Sequence, residues 1–289
     1  MFSGWDEYHL INEGLKKLAL ELPASDLGEI INYVLTSPGK RARPLILVLS
    51  CRAFGGLPRK SIDAAMAVEL VHAASLVHDD ILDCGVERRG EPSIFERYGT
   101  DAALLCGDYL ISKSIELISG YSQPVIKAFA RACMDMSDGE MLDLSSACSA
   151  EEYYRCISKK TASLFAASAR IGCMIASADQ DDAARLESYG LHLGLAYQIM
   201  DDLEEYLGID QGKSSQKAST TLPRIYGEHH CEDESLQLCM RAINDHCAMA
   251  REALAGAKGD ETIKARLQEI ADYMVNKGLE GCRSPRSLC

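Results

Sequence analysis

Two short acidic runs carry the residues best suited to chemistry. The first is His78-Asp79-Asp80-Ile81-Leu82-Asp83; the second is Asp201-Asp202-Leu203-Glu204-Glu205. In each run the outer carboxylates, Asp79 with Asp83 and Asp201 with Glu205, are four residues apart. On a helix that spacing stacks them on one face, where like charges repel. Acidic residues near a helix C-terminus also oppose the macrodipole. A solvated helix end tolerates this repulsion, whereas a divalent cation removes it. Carboxylates so arranged suit Mg2+, a hard ion that keeps waters and shares itself between carboxylates and substrate phosphates. Spacing alone leaves both readings open.

Basic segments accompany the acidic ones. Pro38-Gly39-Lys40-Arg41-Ala42-Arg43-Pro44 precedes an apolar run, and Arg88-Arg89-Gly90 follows the first acidic cluster. Lys159-Lys160-Thr161 lies between the clusters, and Gly212-Lys213 follows the second. Guanidinium forks and lysines are the usual phosphate ligands. Any one of these segments reads as surface charge. Together with paired carboxylates they point to a diphosphate held by cations from several sides.

Such residues need rigid elements to position them. Each acidic run ends an apolar stretch, Ala65 to Val77 or Leu195 to Met200. No proline falls between Pro124 and Pro223, and apolar residues there recur at helical spacing. The patterning predicts a helix from near Pro58, placed for a first turn, to about Asp83. It predicts a second over roughly 149–177, opened by a Ser149/Glu152 capping box. A third covers roughly 179–207, with Asp179 as N-cap and a bend near Gly190 or Gly194. Thr100 is a candidate N-cap for another. β-type alternation with hairpin turns is absent. The expected fold is all-α: a single-domain bundle over 1–289 of about ten or more helices around a central apolar cavity. A mobile polar tail is expected at 278–289.

Composition bounds the rest. The 289 residues are 47% hydrophobic and 25% charged, with formal net charge −13. An acidic chain lacks the basic footprint of a nucleic-acid binder, so any anion site is local. The 12 cysteines form no CxxC. Cys231, Cys239 and Cys247, near His229 and His230, come closest to a metal-binding pattern. They read instead as reduced thiols in a cytoplasm. The N-terminal MFSGWDEYHL lacks the layout of a signal peptide, and no apolar run reaches the roughly 18 residues of a membrane span. The expectation is a soluble cytoplasmic protein.

The segments from Gly39 to Pro223 resemble, in order, those of the trans-isoprenyl diphosphate synthases. Gly39-Lys40-Arg41-Ala42-Arg43-Pro44 is similar to that family's GKRxRP. The segment Glu69 to Asp83, followed by Arg88-Arg89-Gly90, resembles its first aspartate-rich motif. Lys160-Thr161, Gln198, Asp201-Asp202 and Thr221-Leu222-Pro223 match later signatures. The resemblance implies condensation of isopentenyl diphosphate with an allylic diphosphate, in a homodimer using about three Mg2+ ions per site. Asp79 and Asp83 would hold two ions and Asp201 a third, with Asp80, Asp202 and Glu205 in the same metal-binding runs. Arg88, Lys160 and Lys213 would neutralise the allylic diphosphate. Gly39, Lys40, Arg43, His72 and Arg89 would bind isopentenyl diphosphate. Thr161 and Gln198 would line the site of the allylic cation.

Two departures stand out. Glu205 occupies a position where the family has aspartate. The stretch from Lys213 to Thr221 is about three residues shorter than usual, leaving Lys217 as the candidate for a second lysine. Ala74 and Ser75, which lie where bulky residues floor the cavity of short-chain enzymes, are both small. The resemblance then implies a linear all-trans product of about C20 or longer, with geranylgeranyl diphosphate favoured. Chain growth would stop on residues deeper in the bundle, such as Tyr109, Leu110 or Ile111. A class I terpene cyclase, a regulatory synthase subunit and a helical metal-storage protein are the rival readings.

Overall fold

The computed structural model describes residues 2–145, 149–209, 213–214 and 221–282. After a 3-10 turn at Phe2–Gly4 come α1 (Asp6–Leu20), α2 (Asp26–Thr36), α3 (Ala42–Ala53) and α4 (Ile62–Leu82). Strands β1 (Glu87–Arg88) and β2 (Glu91–Pro92) lead into α5 (Ile94–Tyr98), α6 (Thr100–Ile118) and α7 (Gln123–Leu144). Then α8 (Ala150–Ile157) passes through a π-helical turn, Ser158–Ala162, into α9 (Ser163–Ile175) and on to α10 (Gln180–Tyr206). Strand β3 (Lys213–Ser214), α11 (Leu222–Gly227), α12 (Glu232–Ala255) and α13 (Glu261–Cys282) follow. The class is all-α, as patterning predicts. The only strands among the described residues are two residues long, too short to leave an alternating signal.

Local chemistry explains most helix starts. The Ser149 hydroxyl accepts from the Glu152 N–H, and the Asp179 carboxylate from the Asp182 N–H at 2.8 Å, as their cap roles require. Three expectations need correction. Pro58 opens a 3-10 turn at Pro58–Lys60, and α4 begins only at Ile62. The cap of α6 is Gly99 rather than Thr100, because the chain leaves α5 through a left-handed residue with φ 83°. Residues 278–282, expected in the tail, belong to α13. Gly190 and Gly194 permit close packing. A Cβ on Gly190 would lie 2.4 Å from the Phe165 carbonyl oxygen, and one on Gly194 2.6 Å from the Ala162 Cα. Side chains there would push α10 off the α8–α9 segment.

At the centre stands α3, whose Leu45 to Leu49 are fully buried on every side. A helix apolar all round must be enclosed by others, and α4, α9 and α13 pack against it. Both α3 and α9 contact α4, and α9 also packs along α10, so these two central helices set the placement of the pair that ends in acidic runs. The buried side chains form two clusters, and α10, α12 and α13 contribute to both. No described helix is long and apolar enough to cross a membrane.

Candidate active site

The loop before α3 is tied to α4 by buried charge. Arg41 adopts a left-handed conformation with φ 52°. Its Nη1 donates to Glu69 Oε1 at 2.6 Å and its Nη2 to the Ser37 carbonyl at 2.8 Å. Arg89, also left-handed, donates to the Pro38 carbonyl at 2.7 Å. Gly39 threads between the two guanidiniums. A Cβ there would sit 3.0 Å from Arg41 Nη1 and 3.1 Å from Arg89 Nη1.

Further cations gather beside this loop. Arg43 Nη1 lies 3.0 Å from His72 Nε2. Arginine can only donate, so His72 accepts and carries its proton on Nδ1. Burial, reinforced by Arg43, Arg89, Arg88 and Arg41, holds the His72 pKa well below the ordinary imidazole range. The Arg43 guanidinium stacks 4.2 Å over the Phe165 ring, and its Nε is buried without a hydrogen-bond partner. The Lys40 ammonium lies 5.6 Å and 5.9 Å from the ring centroids of Tyr197 and Tyr273. Gly39, Lys40, Arg43, His72 and Arg89 therefore lie close together. Desolvation lowers the pKa of both Arg43 and Arg89, the cost of gathering cations that an anion would offset. Beside them, between α2, α4 and the hairpin, opens a pocket of about 640 Å3, part of it solvent. Its polar wall includes Arg41, Arg88 and Arg89, and its apolar wall Ala73, Leu76 and Ile94.

At the end of α4 the two adjacent aspartates part company. Asp80 is buried, and Arg88 takes both its oxygens: Nε at 3.0 and 2.9 Å, and Nη2 on Oδ1 at 2.6 Å. Such a charge-assisted fork positions Arg88. Both Asp80 oxygens, expected in the metal-binding run, are taken up by Arg88 in this structure. Asp79 and Asp83 make no salt bridge among the described residues. Burial pushes the Asp79 carboxyl up to about 7; Glu140 and Asp83 add to the shift, and Lys160 and Arg88 oppose it. A carboxylate so disfavoured as an anion is a fit position for a divalent cation.

Lys160 comes from the π-helical turn. Its Nζ lies 2.6 Å from Glu140 Oε2 and 2.6 Å from Asp143 Oδ2 on α7. Asp79, Asp143 and Glu140 raise its pKa against desolvation, so it stays charged. The neighbouring Lys159 turns to Asp138 at 2.7 Å. Strand pairing sets the main chain of Arg88 opposite that of Lys213. Lys217 lies outside the described residues.

On α10 a chain of hydrogen bonds fixes the second acidic end. Thr161 Oγ1 donates to Gln198 Oε1 at 2.7 Å, and Gln198 Nε2 donates to Asp202 Oδ1 at 2.8 Å. The other Asp202 oxygen accepts from the buried Tyr153 hydroxyl. Burial pushes Asp202 up to about 7 despite both bonds. Asp202, expected in the metal-binding run, here anchors Gln198 and Tyr153. Asp201 and Glu205 are half-buried. Asp201 lies within electrostatic reach of Arg43 and Tyr197.

Electrostatic coupling through shared cations links the two ends to one candidate cleft. Arg88 lies in the field of Asp79, Asp80 and Asp83, and Arg43 in that of Asp201. His72 lies within reach of both arginines. Among the described residues no three His, Cys, Asp or Glu side chains form a metal site unaided. An ion there would complete its shell with water and substrate oxygens, which is the habit of Mg2+. Sequence reasoning missed Glu69, Tyr153, Glu140 and Asp143. Only Glu69 left a signal, three residues before His72 on α4.

A helical scaffold with carboxylates at two helix ends and cations gathered nearby has the chemistry of an enzyme that handles diphosphate esters. Residues 24–255 match the polyprenyl synthetase family. The chain belongs to that family: it is a prenyltransferase that makes trans-prenyl diphosphates. It is 42% identical to geranylfarnesyl diphosphate synthase of Methanosarcina mazei, over 96% of this chain and 94% of the relative. Geranylgeranyl diphosphate synthase of Sulfolobus acidocaldarius is 34% identical over 80% of this chain and 76% of its own. The crystal structure of a geranyltranstransferase from Methanosarcina mazei superposes with TM-score 0.85 at 41% identity, covering 96% of this chain and 100% of that one.

Proposed function

We propose that this protein condenses isopentenyl diphosphate with an allylic diphosphate and releases a linear all-trans product of about C20 or longer, geranylgeranyl diphosphate being favoured. The observation that carries this reading is the convergence of Lys40, Arg43, His72 and Arg89 beside the acidic helix ends. A terpene cyclase has no use for a second diphosphate site.

Asp79, Asp83 and Asp201, with Glu205 beside them, would hold Mg2+. Bound there, Mg2+ neutralises charge developing on the allylic diphosphate as its C–O bond breaks. Lys160 and Arg88 add fixed positive charge in a desolvated setting where it acts strongly. The Thr161 hydroxyl directs its proton to Gln198, so it turns only lone pairs toward other neighbours. That suits an allylic cation. Arg43, oriented by neutral His72, and Arg89 hold isopentenyl diphosphate with its double bond beside the cation, a proximity effect. Attack by the double bond leaves a tertiary cation, which loses a proton from the CH2 next to the diphosphate-bearing carbon to form the new trans double bond; that proton passes to the released pyrophosphate.

The test is to incubate the protein with Mg2+, isopentenyl diphosphate and each allylic starter, then size the products. Successive five-carbon extension without cyclisation is the expected result. Cyclic hydrocarbon alone, or turnover only after another protein is added, would overturn the reading.

Product length follows from α4. Ala74 is fully buried, and the Ser75 hydroxyl bonds back to the His72 carbonyl at 2.9 Å, so neither projects a bulky floor. Larger side chains begin deeper. Leu70 and Leu110 line a smaller cavity with α1 and α2, and Leu70 stands about 13.5 Å of helix rise from Asp79. Replacing Ala74 with Phe should shorten the main product by at least one isoprene unit. Unchanged product length, read by chromatography, would remove the floor from the account.

A homodimer is proposed from the surface of α6 and α7, which exposes Leu104, Leu105, Ile115, Met134 and Met141. Apolar residues clustered this way mark an interface. Sedimentation should give twice the chain mass, falling to one chain on Leu105→Glu; a monomeric wild type would contradict this. The described cysteines are free thiols, which supports the cytoplasmic reading.

A further inference from the structure

Away from the cleft, α10 and α12 present one histidine each to the other. His192 Nδ1 lies 3.1 Å from His246 Nδ1, with the rings stacked at 26° and their centroids 5.3 Å apart. The Tyr154 ring packs against His246 at 5.8 Å. Both imidazoles are half-buried. Burial lowers the pKa of each, and for His246 the neighbouring His192 lowers it further while Asp245 opposes. Only one proton fits between two such nitrogens, so one ring donates and the other accepts.

The same gap matches the bite of a metal ion. With metal–nitrogen bonds of about 2.0–2.1 Å, two ligand nitrogens at angles between square-planar and tetrahedral stand roughly 2.9–3.4 Å apart. We propose that His192 and His246 form a two-imidazole site, through their Nδ1 atoms, for a borderline divalent transition metal such as Zn2+ or Ni2+. Imidazole selects these ions, whereas the carboxylates of the cleft select Mg2+. No third His, Cys, Asp or Glu among the described residues completes the set, so water fills the remaining positions and the ion exchanges readily. His192 precedes Asp201 by nine residues on α10, about 13.5 Å of rise. A metal here staples α10 to α12 without entering the cleft. Cys231, Cys239 and Cys247 do not form this site: Cys239 is fully buried and Cys231 is exposed.

Calorimetric titration with Ni2+ in excess Mg2+ tests the assignment. One Ni2+ should bind per chain, and His192→Gln and His246→Gln should each weaken binding by about tenfold or more, since a first ligand matters at least as much as the groups that orient it. Cys247→Ser should leave the affinity unchanged. Mg2+-dependent turnover and circular dichroism check that the variants fold. A second readout needs no variant: Zn2+ should shift the Nδ1 resonances of two of the seven histidines in 15N-labelled wild type. Undiminished Ni2+ binding in both histidine variants, loss in Cys247→Ser, or no histidine resonance moved by Zn2+ would overturn it.

Discussion

Replacing Asp79 with Asn should lower prenyl transfer by about a thousandfold or more, comparable to losing a principal charge-stabilising group. The same change should leave the metal-free protein at least as stable as wild type. The second expectation separates a ligand from a structural carboxylate. Burial raises Asp79 to about 7, above its usual value of 3.8. A raised carboxyl favours folding only while protonated. Below about pH 4 it is protonated in both states and costs nothing; as pH rises toward 7 the unfolded chain gives up its proton first and stability falls. Metal-free wild type should therefore lose stability over that window, and Asp79→Asn should flatten the slope. Thermal unfolding against pH reads this directly. A variant that retains activity, or that unfolds more easily at neutral pH, would place Asp79 among the structural groups.

Arg41 should show the opposite pattern, with stability lost first. Its side chain and that of Glu69 are each only 7% exposed. Removing one member of a buried pair strands the other charge, at a cost of about 3–5 kcal/mol. Against a typical total of about 5–15 kcal/mol, that loss is large. Arg41→Ala should shift the urea midpoint downward accordingly, and Glu69→Gln in the same background should recover most of the loss. Loss below about 1 kcal/mol, or simple additivity in the double variant, would show that the pair is not coupled. Arg41 also holds Gly39 and the Ser37 carbonyl in place. Its loss should therefore raise the KM for isopentenyl diphosphate as well.

How much of this was legible in the residues depends on the range of the interaction. Helix class followed from apolar periodicity, and the caps at Ser149 and Asp179 from chemistry within one turn. The converging cations followed from the ordered motifs. Partners did not. Arg41 and Glu69 are 28 residues apart and Tyr153 and Asp202 are 49 apart, pairings that packing creates and local spacing does not encode. The Arg88 and Tyr153 partners of Asp80 and Asp202 were missed for a different reason. Neighbours on a helix point about 100° apart, so when Asp79 and Asp201 face the cleft the following residues turn into protein, where Arg88 and Tyr153 wait. That periodicity was available beforehand. The packing role of Gly190 and Gly194 was hidden because their neighbours on the π-helical turn and α9 are distant in sequence.

The central claim is a diphosphate clamped through shared divalent ions between the ends of α4 and α10. Diffraction from crystals grown with Mn2+ and pyrophosphate tests it most directly, because anomalous scattering locates each ion. The account expects ions coordinated by Asp79 and Asp83 on one side and by Asp201 on the other, all bridging a single pyrophosphate. Ions bound at one helix end only, or a pyrophosphate that touches neither, would contradict it.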